Sequence, residues 1–324
     1  DLGATLEELT WTVNAYTLTF ASCILMSSAL ADRFGRRSVF LLGVFIFTAS
    51  SAWCGISNNI GALITARTLQ GIGGSAVMPL SLALLSTSVP ERLRATAIGI
   101  WGGVAGLGVA LGPLIGGAVV EGMNWHAIFW INVPFGLLCI PLVWITIPES
   151  RGRPEPLDFL GLALVGIGLF GITYGIVRGN DAGWASMEVL TALIGGVLIL
   201  ASFIWWESHA ASPLLPLRLF SNRSFSMANI VGFLFFFGIF GAIFILIQFL
   251  QVVQGANPLE AGLMTMPWTL APFVVSPLTG LLTSRVGTRP VIVVGMALMS
   301  IWLLWSGIIL DPSVEYIRSE EHTS

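Results

Sequence analysis

A chain of 324 residues that is 55% hydrophobic and 10% charged, with a mean hydropathy of +0.88 and a net charge of −3, lacks the polar surface that a water-soluble fold needs. The bilayer is therefore the expected solvent. Cys23, Cys54 and Cys139 all fall in apolar stretches without paired spacing and read as packing residues, not as disulfides or metal ligands.

Stretches of about twenty residues without charge, enough to cross roughly 30 Å of hydrocarbon, predict ten helices, at approximately 11–30, 38–57, 60–86, 95–119, 127–147, 159–177, 189–206, 224–250, 261–283 and 290–310. None alternates polar with apolar residues, which excludes the strands of a membrane β-barrel. Asp1 to Thr10 carries three acids and no basic residue, which does not read as a cleavable signal peptide. All basic residues are arginine, which fits a GC-rich coding genome. Alternating the loops across the membrane gathers Arg33, Arg36, Arg37, Arg92, Arg94, Arg151, Arg153, Arg218, Arg223, Arg285 and Arg289 on one side and leaves Arg178 on the other. The arginine-rich side is expected to be cytoplasmic.

In chain order, the first stretch with chemistry is ALADRFGRRSVF (29–40), between the first two segments. As a cytoplasmic turn it accounts for its arginines, but not for Asp32, Gly35 or the reappearance of its pattern. Aligning SALADRFGRR (28–37) with GLLTSRVGTR (280–289) sets Arg33 on Arg285, Gly35 on Gly287 and Arg37 on Arg289. Such an internal repeat marks two transporter halves related by an axis along the membrane normal. In the third segment, ARTLQGIGGSAVMP (66–79) sets Arg67 at bilayer depth, where an arginine lines a polar path or pairs with an acid unless it snorkels to the nearer interface. In the fourth, GVALGPLIGG (108–117) follows a glycine-rich run from Gly99 to Gly106; small residues at i and i+4 allow close helix approach, and Pro113 interrupts the hydrogen-bond ladder. The spacing of Gly106, Gly108 and Gly112, with no strand before them, excludes a dinucleotide fingerprint. Pro267, Pro272 and Pro277 predict bends in the ninth segment, which suits a gating helix.

These residues carry a resemblance. ALADRFGRR is similar to the G-x-L-x-D-R-x-G-R-R loop signature of the major facilitator superfamily, between its second and third helices, with Ser28 in place of the first glycine. The resemblance implies a conformational latch of Asp32, Arg33, Gly35, Arg36 and Arg37 with Arg285, Gly287 and Arg289, in which Asp32 docks at the partner helix start around Thr288 to Pro290. Arg67, Gln70 and Gly71, with Gly73 and Gly74, resemble the fourth-helix motif R-x-x-Q-G-x-G-x and imply a proton pathway. Gly108, Gly112, Pro113, Gly116 and Gly117 match the G-x-x-x-G-P-x-x-G-G motif of exporter branches. WTVNAYTLTFA (11–21), NWHAIFWINVPFG (124–136) and NPLEAGLMTMPW (257–268) resemble the fourteen-helix drug:proton antiporters.

The fold that this implies is an all-α polytopic membrane protein, a major facilitator fold of two pseudo-repeated helix bundles with two linker helices, incomplete at both ends. Residues 1–150 are expected to form the N-terminal bundle (helices 2–6), 151–222 two linker helices and a cytoplasmic loop, and 223–317 the start of the C-terminal bundle (helices 9–11), with helix 1 and helices 12–14 expected to lie outside this stretch. The repeat copies lie 252 residues apart, beyond the ~180–200 of two adjoining six-helix halves, and segments 159–177 and 189–206 supply the excess. The tail RSEEHTS (318–324) is similar to a translated sequencing-adapter oligonucleotide and is expected to be an artefact.

The function implied is proton-coupled efflux of amphipathic, drug-like compounds by alternating access. No acid sits in the middle of an apolar segment, so the coupling carboxylate facing Arg67 is expected in the missing first helix. Asn14, Tyr16, Trp101, Asn132, Gln248 and Gln251 are the candidates for the substrate cavity, as aromatic or polar groups at segment depth; Trp11 and the glutamine pair also suit interfacial anchors. No cofactor is expected beyond the proton gradient. Expected partners are lipophilic or cationic small molecules, protons and the lipid bilayer, with no nucleic acid, and no oligomeric state is specified. The expected location is a bacterial inner membrane, multi-pass, with the charged motif loops cytoplasmic. A carrier for one metabolite or siderophore is the alternative. An integral-membrane enzyme would need a catalytic cluster at membrane depth, which the sequence does not show, and a channel is expected instead as a symmetric oligomer of a smaller repeat with charged or carbonyl-lined pore rings.

Overall fold

The computed structural model describes residues 4–122, 124–152, 158–210 and 213–309, and the tail 318–324 lies outside them, as do Arg153 and Asp311. Among the described residues, eleven α-helices account for all ten apolar segments: α1 (Leu6–Phe34), α2 (Arg36–Gly55), α3 (Ile60–Ser88), α4 (Glu91–Gly122), α5 (His126–Trp130), α6 (Asn132–Thr146), α7 (Phe159–Ala182), α8 (Met187–Glu207), α9 (Arg223–Gln248), α10 (Pro258–Val286) and α11 (Thr288–Ile309). Among the described residues nine helical spans are long and apolar enough to cross a membrane; the tenth expected segment, 95–119, falls within α4, a helix of 32 residues. The fifth segment divides at Ile131 into α5 and α6. α10 runs unbroken through Pro267, Pro272 and Pro277.

Helix ends are closed by polar residues that a hydropathy profile does not see. Thr5 and Glu8 form a capping box at α1 (Glu8 N–H to Thr5 Oγ1, 3.3 Å; Thr5 N–H to Glu8 Oε2, 2.8 Å), and Asn257 and Glu260 form another at α10. Each satisfies two of the N–H groups that a helix start leaves open.

Two compact units result. One comprises α1–α3 and α5–α8, the other α4 with α9–α11. Within each unit, helices meet where small residues open their surfaces. In the first unit, Gly71 and Gly74 of α3 face α1 and Gly73 faces α2. A Cβ at Gly71 would overlap the Thr19 side chain and lie 2.5 Å from the Tyr16 carbonyl oxygen, and one at Gly73 would lie 2.6 Å from the Phe47 nitrogen. Hydroxyls bridge the first of these crossings: Thr19 donates to Thr68 O (3.0 Å), and Ser27 and Ser75 share a bond of 2.8 Å. α7 packs on α8 through Gly171 and Gly196, and meets α1 where Trp11 and Tyr174 approach to 6.0 Å between ring centroids. The core of this unit gathers Phe40, Leu41, Val44, Ala76, Leu80, Leu84 and Val143, and Cys54 packs with Leu63 and Ala66.

In the second unit α4 lies against α10 through Gly99, Gly103 and Gly106, whose missing side chains admit Ser276, Phe273 and Pro272. Backbone contact at such glycines is how membrane helices gain dispersion energy where lipid leaves little hydrophobic drive.

Gly71→Ala should lower the stability of the purified protein by about 1–3 kcal/mol, because the α1 backbone has to move away. Gly195→Ala, on α8 where a Cβ meets nothing within 4 Å, should be neutral or stabilising by up to about 1 kcal/mol. Thermal unfolding in detergent compares the two, and equal effects would contradict the crossing geometry.

Candidate functional site

The charged stretch 29–40 is less a loop than a one-residue break. α1 runs on through Asp32 and Arg33 to Phe34, and α2 starts at Arg36, so only Gly35 is non-helical, at φ 111°. A side chain at that φ is strained. The Asp32 carboxylate accepts from Arg36 Nε (3.0 Å) and from its terminal nitrogen (2.8 Å), pinning the two helices across the break. Arg33 is exposed.

What holds this corner comes from the far end of α6. Glu149 accepts the N–H groups of Arg37 (2.9 Å) and Ser38 (3.1 Å) and the Ser38 hydroxyl, so a carboxylate sits on the open N-terminus of α2. In return the Arg37 guanidinium donates to the Ile147 and Trp144 carbonyls at the end of α6 (3.0 and 3.3 Å) and lies over the Trp144 ring. Arg36 N–H donates to Ser150 O (2.8 Å), and Gly152 N–H to Asp32 O (2.9 Å). A Cβ at Gly35 would lie 2.5 Å from the Glu149 carboxyl carbon, and one at Gly152 2.7 Å from Asp32. Partial burial pushes the Glu149 carboxyl up, but the Ser38 hydroxyl and the N–H groups of Arg37, Ser38 and Ser150 together hold it below the usual carboxylate value. Sequence reasoning missed Glu149; its signal was an acid just past an apolar segment, with nothing to connect it to residues 112 positions away.

The second copy of the motif repeats the backbone of the first. Gly287 breaks α10 from α11 at φ 85°, and its N–H donates to Thr283 O (3.0 Å) as Gly35 N–H does to Ala31 O (2.9 Å). Arg285 and Arg289 are exposed, and a Cβ at Gly287 meets nothing within 4 Å among the described residues. Asp32 lies in the first unit and 288–290 in the second.

The second cluster forms inside the first unit. Arg67, half-buried on the second turn of α3, donates from Nε to Thr12 O (2.9 Å) and from a terminal nitrogen to Gln70 Oε1, and its guanidinium lies 4.4 Å from the Tyr16 ring centroid and 5.8 Å from that of Phe129. Gln70, 1% exposed, donates its amide nitrogen to Ser51 Oγ. Asn132, at the start of α6, donates to the same oxygen (3.4 Å). A Cβ at Gly74 would lie 2.9 Å from the Tyr16 hydroxyl. The expected proton-pathway residues Arg67, Gln70 and Gly71 are thus brought together with two of the cavity candidates, Tyr16 and Asn132. Ion pairs join Asp32 with Arg36 and Glu188 with Arg178; among the described residues no acid pairs with Arg67. All its partners are neutral acceptors and ring faces, an arrangement that holds a cation and leaves it able to take an anion.

The remaining expected residues are divided between the two units. Asn14 is half-buried on α1, while Trp101 (α4), Gln248 (end of α9) and Gln251, in the π-helical turn Phe249–Val253, belong to the second unit, both glutamines exposed. Gly108, Gly112, Pro113, Gly116 and Gly117 lie in α4, but Gly108, Gly112 and Gly116 have no atom of the described residues within 4 Å of a built Cβ. Within the second unit α4 meets the Pro272–Gly280 surface of α10 at Gly99, Gly103 and Gly106.

The sequence model of the Major Facilitator Superfamily matches residues 1–314. The multidrug resistance protein Stp of Mycobacterium tuberculosis is 37% identical over 300 residues, 92% of this chain and 56% of that protein. The methylenomycin A resistance protein of Bacillus subtilis is 37% identical over 317 residues, 97% and 68%. The chain thus spans about half to two thirds of the length of these relatives. Among solved structures, the POT family transporter PepTSo aligns over 93% of this chain and 86% of its own at 14% identity, with a TM-score of 0.47.

Replacing Glu149 by Ala should cost about 1 kcal/mol at neutral pH, the worth of a helix N-terminal acceptor. The folded carboxyl titrates below its unfolded value of roughly 4.3, so the stabilisation is complete above that pH and fades as pH falls through the lower, folded value. Unfolding measured at pH 7 and at progressively lower pH should show the variant and parent converging; a pH-independent gap would contradict the charge assignment.

Proposed function

This chain belongs to the Major Facilitator Superfamily, and we propose that the whole protein is a proton-coupled exporter of amphipathic, drug-like compounds, lipophilic or cationic, working by alternating access in a bacterial inner membrane with the Gly35 and Gly287 corners on the cytoplasmic side. The observation that carries this reading is the setting of Arg67. A guanidinium at span depth, held by Thr12, Gln70, Tyr16 and Phe129 with no acid beside it among the described residues, is costly unless it serves a polar path. In this reading it stabilises the ionised form of a coupling carboxylate, expected from the sequence in a helix preceding α1. Protonation from outside and drug binding from inside then compete at one place. The names of the relatives support the cargo class, and GVALGPLIGG, 108–117, supports export over import.

A narrower reading, an exporter of one compound, is favoured by the single-compound name of the Bacillus subtilis relative. Cells expressing the full protein distinguish the two. Protection against several unrelated lipophilic cations, lost when the proton gradient is collapsed, supports the broad reading; protection against one compound alone supports the narrow one.

In the full-length protein, Arg67→Ala should reduce proton-driven efflux ten-fold or more, since each hydrogen bond to a charged group is worth about 1.5–3 kcal/mol. Arg67→Lys keeps the charge but not the forked donors, and should recover only part of the rate. Dye efflux from inverted vesicles energised by a pH gradient measures both; parental rates in Arg67→Ala would overturn the reading.

A further inference from the structure

We infer that Ser51 of α2 is a positioning residue that fixes the Gln70 side chain with its carbonyl oxygen on Arg67. Its consequence for export rests on the proton-coupled reading above, but the geometry does not.

An amide side chain has two ends of nearly equal shape, and which end points where is decided by its partners. A guanidinium only donates, so the end of Gln70 that faces Arg67 has to be the oxygen. The NH2 end is then turned into the protein, where Gln70 is 1% exposed and water gives no acceptor. Ser51, itself 0% exposed, supplies one: its hydroxyl oxygen accepts from Gln70 and, through a second lone pair, from Asn132. The bonds therefore run in one polarity, from Asn132 to Ser51, from Gln70 to Ser51, and from Arg67 to Gln70.

Remove the serine oxygen and this order fails. The Gln70 NH2 becomes a buried donor without an acceptor, and the amide relieves that by rotating towards another acceptor, which takes its carbonyl oxygen off the guanidinium. Arg67 then keeps Thr12 O and the two rings and loses the contact that holds its terminal nitrogen. Among the described residues, Nε and one terminal N–H are used in the intact arrangement, and the remaining donors face no acceptor and suit an anion. Ser51 touches neither Arg67 nor any anion itself; it acts through Gln70.

The assignment is tested on the full-length protein with Ser51→Ala, Gln70→Met and the double variant. The first is smaller than the residue it replaces, and the second conserves volume. The direct readout is the rate at which phenylglyoxal modifies Arg67, followed by mass spectrometry. Ser51→Ala should raise that rate about ten-fold, on the scale of one lost hydrogen bond to a charged group. Gln70→Met should raise it as much, and the double variant no further than Gln70→Met alone, because the two changes break one path. An unchanged rate in Ser51→Ala, or multiplied effects in the double variant, would overturn the assignment. The second readout is the pH of half-maximal export, which should move up by about one unit in all three variants as the coupling carboxylate loses support from a well-held cation. If labelling follows the expected pattern and that pH stays put, the positioning role stands and the proton-coupled reading of Arg67 falls.

Discussion

The missing side chain at Gly71 sets how near α1 comes to α3, and the surroundings of Arg67 follow from that distance. With the Tyr16 carbonyl in the space a Cβ would fill, the turn of α1 one step towards its start lies alongside Arg67. Thr12 O and the Tyr16 ring become its neighbours. Gly74 makes the matching room for the Tyr16 hydroxyl, and Gly73, on the other side of the same helix, admits α2 and with it Ser51. One short glycine run thus places two helices against a third and brings up the polar groups around a half-buried cation. A helix in lipid gains little from burying apolar surface, so close backbone contact and buried hydrogen bonds specify the packing together.

The corner at Gly35 uses a different device for the same difficulty, that helix ends in or near a membrane need partners for open N–H and C=O groups. Glu149 closes the start of α2 while Arg37 closes the end of α6, so each helix caps the other. Gly35 is required twice: for its positive φ and for the room that the Glu149 carboxyl occupies. The Gly287 corner shares the positive φ and the N–H bond back to the helix before it, so the two copies of the motif are alike in backbone.

What was legible in the sequence follows from locality. An apolar stretch of about twenty residues has to be helical in hydrocarbon because its backbone can find no other partners, so all ten segments were found as helices. Their ends were less legible: hydropathy stopped the first segment at residue 30, whereas Asp32 and Arg33 continue α1 to a glycine. The Arg67 and Gln70 pair was readable as a motif, but Ser51, one of two neighbouring serines in FTASSAWCG, carried no mark.

By itself, then, the sequence determined the solvent, the helices, the repeat of a glycine corner after 252 residues and membership of a family, because each depends on residues near one another in the chain or on a pattern held whole. The tertiary structure alone decided that α4 joins α10, that Glu149 reaches α2 from 112 residues away, and that Ser51 and Asn132 meet Gln70. Those contacts depend on which glycine-opened faces come together, a choice among many small surfaces of similar composition. Only the three-dimensional fit separates them.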